Sequence, residues 1–158
     1  MLEIEKIPRH VLEYAYNKGV DLENIYLTAR CDMNSEHRFC DTYLIATSDN
    51  LYVIWGTDGL VSRENSAKGG LDHIWNEGGF EEYKLSSLKD FKVEELLSGV
   101  RLTAKDENGE YVFLTAMSNF YKSSTLLFVK YLNKIKKGDI KNPSGPINIS
   151  VGLSLFFN

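Results

Sequence analysis

The chain has 158 residues and a formal net charge of −4, with 43% hydrophobic and 25% charged residues, which are ordinary globular values. That length suits one domain with a real core, and is too short for a motor, a polymerase or a two-domain dehydrogenase. The mild acidity excludes a duplex nucleic-acid binder, which needs excess Lys and Arg to displace counterions.

Residues 8–18 predict a short helix. Pro8 fits a first helical position, Val11, Leu12 and Ala15 share one face, and Gly19 suits the left-handed residue after a helix. So short a helix is marginal alone and must dock. Over Asn24–Met33, Ile25, Leu27 and Ala29 alternate with Tyr26, Thr28 and Arg30, which predicts a strand. The polar run from Asn34 to His37 is a turn, Arg38–Ser48 a second strand, Asp49-Asn50 a tight turn and Leu51–Trp55 a third strand.

Residues 56–79 break the pattern. Six glycines lie there among mostly polar residues, so the segment reads as a long Gly-rich loop, with Leu71, Ile74 and Trp75 as an anchoring turn. Strands resume from Phe80, and Val100, Leu102 and Ala104 alternate with Arg101, Thr103 and Lys105. Asn108-Gly109 then signals a hairpin leading into Tyr111–Ala116.

A helix is predicted over 119–137, capped by Ser118 or Asn119 and stopped by Gly138. Its apolar face holds Phe120, Leu127, Tyr131 and Ile135, widened by Leu126, Phe128 and Leu132, and lysines fill its last turn. Residues 139–158 form a linker and an apolar strand or tail: Ile147, Ile149, Val151, Leu153 and Leu155 alternate with small or polar residues. Docking on its own domain is the preferred reading of 147–157. Pairing with another chain, because an apolar edge is sticky, and a disordered or truncated tail are the alternatives.

The two cysteines, with no basic start and apolar run to mark export, read as reduced thiols of a cytoplasmic protein. No stretch approaches the ~20 apolar residues that span a bilayer. If the first hairpin folds about residues 35–36, Cys31 and Cys40 face each other and His37 approaches from the turn. Thiolates and imidazole suit zinc, but a four-ligand set is missing. Two facing core thiols are preferred over a disulfide or a metal site. His10 is expected to face solvent, and His73, beside Asp72, to lie in the loop. No nucleophile, base and orienting group emerge together, so no catalytic residue and no cofactor are predicted.

Charge divides along the chain. Residues 1–83 carry 15 acids and 7 bases, whereas residues 84–158 carry 7 acids and 11 bases. The basic half supplies a candidate interaction surface of Lys84, Lys89, Lys92, Arg101, Lys105, Lys134, Lys136 and Lys137.

The order of elements predicts an α+β, mainly β fold: a partly open barrel of about seven antiparallel strands closed by a C-terminal helix, plus a short N-terminal helix. It resembles the pleckstrin-homology (PH) superfold. The residues also resemble a narrower family, the PH-like N-terminal cytosolic domain of Firmicutes-type ABC transporters of the exporter class. That likeness is carried by Ile7-Pro8 through Asn24-Ile25, by Cys31 to Gly56, by Glu81 to Glu110 and by Leu114 to Gly138. It covers roughly residues 1–138, the expected domain, and its motifs are hydrophobics, turns and caps. In such transporters, membrane helices and a nucleotide-binding domain follow. This sequence has no G-x-x-x-x-G-K-[ST] loop, so ATPase activity does not carry over and an excised or stand-alone domain is expected.

The functional expectation is therefore a non-catalytic regulatory or interaction module associated with a membrane transporter, at the inner face of the membrane through a host or partner. It would contact protein in preference to anionic lipid. The alternatives are a small metal- or thiol-dependent protein using Cys31, His37 and Cys40, and an oligomerising module acting through strand 147–157.

Overall fold

A computed structural model describes residues 7–62 and 71–140, together with the backbone of 147–149. Helix α1 spans Arg9–Asn17, with Pro8 at its N-cap rather than inside it, and Gly19 takes the left-handed conformation (φ 97°) that ends it. A short 3₁₀ turn, Leu22–Asn24, leads to β1 (Ile25–Met33). Strands β2 (Phe39–Thr47), β3 (Asn50–Ser62) and β4 (Leu71–Lys84) follow. Next come β5 (Lys89–Leu96), β6 (Gly99–Lys105) and β7 (Tyr111–Met117). Helix α2 (Lys122–Lys136) begins after a 3₁₀ turn at Asn119–Tyr121, and β8 is the backbone segment Ile147–Ile149.

The strands form two sheets. The first runs β4-β3-β2-β1-β8, antiparallel except for β8, which lies parallel to β1. The second runs β5-β6-β7 and is antiparallel throughout. No strand ladder among the described residues joins the sheets into a closed barrel. The short pairing of Leu27 with Ile147 docks the start of the apolar tail on this chain's own sheet. The rest of the predicted 147–157 strand lies outside the described residues.

Two apolar layers flank the first sheet. On one side Leu27, Ala29, Cys31, Leu44, Ala46, Leu51 and Val53 pack against α2 and the second sheet. On the other, Ile25, Tyr43, Ile45, Tyr52 and Ile54 pack against Val11, Ala15 and Val20 of α1 and its exit. Each fully buried aliphatic side chain contributes about 1.5–3 kcal/mol, which is what holds so short a helix. Simple alternation put Ile25, Leu27 and Ala29 on one side. A register shift between Ile25 and Leu27 turns Ile25 toward α1 instead.

The Gly-rich loop expected over 56–79 is, as far as it is described, a β-ribbon. Strands β3 and β4 pair from Asn50↔Lys84 out to Ser62↔Leu71. Three of its glycines, Gly56, Gly78 and Gly79, make room for indoles rather than turns. Trp55 lies opposite Gly79, and a Cβ at Gly79 or Gly78 would overlap its ring. Gly56 makes the same room for Trp75. Aromatic rings laid over strand glycines restore the packing that glycine forfeits.

Helix α2 buries Thr125, Phe128, Leu132 and Ile135, a row displaced from the predicted one. Phe120 precedes the helix and is 65% exposed. No side chain caps the helix at its N-cap, Tyr121; the Ser124 and Thr125 hydroxyls donate to the Tyr121 carbonyl instead. Polar groups close the junction between the sheets. The Met33 carbonyl accepts from Thr42 Oγ1 at 2.6 Å and Thr115 Oγ1 at 2.8 Å, and Asp32 accepts from the Ser118 amide at 2.8 Å. All three bonds satisfy groups that are costly to bury unpaired.

Candidate interaction surface

The outer face of the second sheet gathers the densest set of functional side chains. Residues directly opposite in an antiparallel ladder share a face, and the register gives Lys89↔Lys105, Lys92↔Thr103, Glu94↔Arg101, Lys105↔Tyr111 and Thr103↔Phe113. Phe91, Val93, Leu102, Ala104, Val112 and Leu114 turn to the core. Period-two reading would set Lys89 and Lys92 on opposite faces. A bulge between them, with Asp90 at φ 53°, returns both to the same one.

Glu94 is the carboxylate within this set. Lys92 Nζ lies 3.0 Å from its Oε1, and Arg101 donates to its Oε2 at 3.0 Å. These partners hold the Glu94 carboxyl below the usual carboxylate range, and Glu94 in turn raises the Lys92 ammonium. The Arg101 guanidinium sits 5.7 Å from the Phe113 ring centre and Lys105 Nζ 5.4 Å from that of Tyr111. Lys89 has no ion-pair partner among the described residues. Glu94, Arg101, Thr103, Tyr111 and Phe113 line a groove of about 370 Å³ on this face. Tyr111 is 72% exposed and Thr103 only 6%, so the tyrosine is a wall and the threonine the floor.

The other four predicted cations are elsewhere. Lys84 and Lys136 line a separate groove of about 410 Å³ with Ser48, Asp49 and Asn50 of the β2–β3 turn. The Lys136 ammonium donates to the Leu88 carbonyl, and burial lowers its pKa against the opposing pull of Asp90. Lys134 stacks on Tyr131 of its own helix, and Lys137 is the exposed C-cap. The eight cations therefore divide, and Lys89, Lys92, Arg101 and Lys105 are the four that share a face.

The thiol–imidazole set does not assemble as expected. The first hairpin turn is one residue longer than predicted, with Met33 opposite Phe39, His37 in the left-handed region (φ 61°) and Asn34 accepting from the Glu36 and Arg38 amides. A bulge between Cys31 and Met33 shifts the register by one more. Cys31 then pairs with Thr42, not Cys40. Cys31 is buried, near Thr125, and burial pushes its thiol up to about 12. Burial raises Cys40 too, which lies 3.5 Å from Thr42 Oγ1, and both thiols are free. His37 turns away, edge-on to Phe113. Among the described residues no group of three His, Cys, Asp or Glu could hold a metal.

A second polar cluster was missed in the sequence because it needs the ribbon. Asp58 and His73 sit on adjacent ribbon strands, and His10 of α1 reaches across to them. His10 Nε2 is 2.7 Å from Asp58 Oδ1, off the axis of a good hydrogen bond, and His73 Nδ1 is 3.2 Å from Oδ2. The side chain of His10, expected to face solvent, is only 16% exposed. Nearby Tyr14 donates to Glu77 at 2.6 Å. Burial, then that carboxylate, raises the phenol well above its ordinary range. The available signal was the alternation of Asp72, Ile74 and Asn76 with His73, Trp75 and Glu77.

Comparison with known proteins fits the fold. The hSac2 domain from human phosphoinositide phosphatase Sac2 superposes with a TM-score of 0.50 at 13% identity, over 94% of this chain and 93% of that one. No family model and no curated protein matches the chain. The expected membership of the ABC-transporter N-terminal domains is thereby corrected: the structural likeness is to a domain of a different protein class, and no transporter match supports the resemblance. The motifs behind it, hydrophobics, turns and caps, specify a fold and not a lineage. No helix among the described residues is long and apolar enough to cross a membrane.

Proposed function

We propose that this chain is a non-catalytic, PH-like recognition module of the cytoplasm, and that it binds an anionic protein partner on the outer face of its second sheet. Two sheets with a helix against their shared core support the PH-like reading. The observation that carries the reading is the convergence of Lys89, Lys92, Arg101 and Lys105 with Tyr111 and Phe113 on one open face.

Groups suited to chemistry are already engaged with other side chains, which supports a binding role. Cys31 is in the core, His37 lies against Phe113, and His10 and His73 share Asp58. Protein is preferred over lipid because Glu94 sits among the cations and is held ionised there. A planar anionic bilayer would press on that carboxylate. A polypeptide can place its acids around it.

The test compares polyglutamate with phosphatidylcholine vesicles carrying phosphatidylserine. Polyglutamate should bind, weaken with salt, and lose binding in the double variant Lys89→Glu, Lys105→Glu. Equal or stronger salt-sensitive binding to the vesicles would replace the protein reading with a lipid one. Binding to neither would remove the surface as a recognition site.

A further inference from the structure

The groove on the second sheet has a definite shape, and its charges are unevenly satisfied. Thr103 forms a low floor between taller walls, Arg101 with Glu94 on one side and Tyr111 with Phe113 on the other. Phe113 already carries the Arg101 guanidinium and the His37 edge, so the 72%-exposed Tyr111 ring, with Lys105 Nζ 5.4 Å from its centre, is the wall that can pack on a further ring. At one end Lys89 stands directly opposite Lys105, with no acid paired to Lys89 among the described residues. Like charges facing across a ladder destabilise it, and an anion between them would relieve the repulsion. At the other end Glu94 has already satisfied Lys92 and Arg101. The unmet demand for negative charge therefore lies beside the groove, at Lys89 and Lys105.

We propose that this groove receives an aromatic side chain from an extended, acidic partner segment, whose flanking carboxylate pairs with Lys89 and Lys105. The inference rests on the recognition reading above and adds the chemistry of the bound residue. An open groove of about 370 Å³ holds one ring together with its adjoining backbone.

Three fluorescein-labelled, end-capped peptides test it by anisotropy with the full chain: Glu-Glu-Phe-Glu-Glu, Glu-Glu-Ala-Glu-Glu and Lys-Lys-Phe-Lys-Lys. The phenylalanine peptide should bind about fivefold more tightly than its alanine counterpart, as expected for one well-packed aromatic anchor. The lysine peptide should not bind. Tyr111→Ala, at an exposed site where folding is safe, should erase the preference for phenylalanine yet keep binding of both acidic peptides. Lys89→Glu with Lys105→Glu should weaken both acidic peptides about tenfold.

Equal affinity for the phenylalanine and alanine peptides would overturn the groove inference while leaving an anionic recognition surface. No binding by either acidic peptide would overturn both. Self-association in light scattering, suppressed by the phenylalanine peptide and by Tyr111→Ala, would assign the groove to a second copy of this chain and overturn the partner segment.

Discussion

The central strands of the first sheet are covered on both faces, by α1 on one side and by α2 with the second sheet on the other. The second sheet is covered on its inner face and keeps its outer one open. The sequences differ accordingly. From Tyr43 to Thr47, β2 is buried at every residue, whereas β5 and the start of β7 mix exposed and half-buried positions. A sheet with one solvated face can carry charge and aromatics there without loss to the core, and a sheet closed on both sides cannot. One sheet is the scaffold and the other is the display.

Truncations on either side of the first sheet break this comparison most directly. Leu44→Ala, on the α2 side, and Ile54→Ala, on the α1 side, should each lose about 2–5 kcal/mol in urea unfolding. Lys105→Ala on the open face should stay within about 0.5 kcal/mol. A loss below about 1 kcal/mol for Ile54→Ala would mean that α1 is no real cover.

Gly79→Ala should cost about 1–3 kcal/mol and shift the tryptophan emission, because the new methyl overlaps the Trp55 ring. An unchanged melt and spectrum would show that the indole is not seated there.

Cys31 gives a smaller, pH-dependent effect. Its folded thiol pKa, about 12, is raised above the ordinary thiol value. Its contribution is therefore complete below that ordinary value and is lost as pH rises toward about 12. Stability should decline in this alkaline window, and Cys31→Ala should flatten the decline. In thiol labelling Cys40 should react first, and Cys31 at the rate of global unfolding.

The smallest effect belongs to Glu94, whose folded pKa is lowered by Lys92 and Arg101. Its contribution is present above the unfolded carboxylate range and lost as pH falls through the folded value. Glu94→Gln should slightly flatten the acid limb of the melting profile and leave neutral stability nearly unchanged.

What the sequence made legible were local rules that no tertiary contact overrode. The turns at Asp49 and Asn108-Gly109, the stops at Gly19 and Gly138, and the existence of α2 all fall where those rules put them. The ribbon did not, because glycine signals a turn by its torsion but signals ring packing only through a partner across the ladder. Gly78 and Gly79 are meaningful only once Trp55 is known to lie opposite. The candidate surface was half legible for a similar reason. Composition named its cations, but the bulge at Asp90 decides that Lys89 and Lys92 share a face, and the fold places Lys84 and Lys136 around another groove.

The ribbon's indoles carry an experimental consequence. Both tryptophans of the chain lie on β3 and β4, and none lies on the display sheet, whose groove is walled by Tyr111 and Phe113. Light absorbed by the indoles therefore reports on the scaffold, and a ligand in the groove should leave their emission unchanged unless its effect crosses the core. The molecule thus supplies its own optical control: a silent tryptophan signal during a binding titration marks a local event, and a moving one marks coupling between the two sheets.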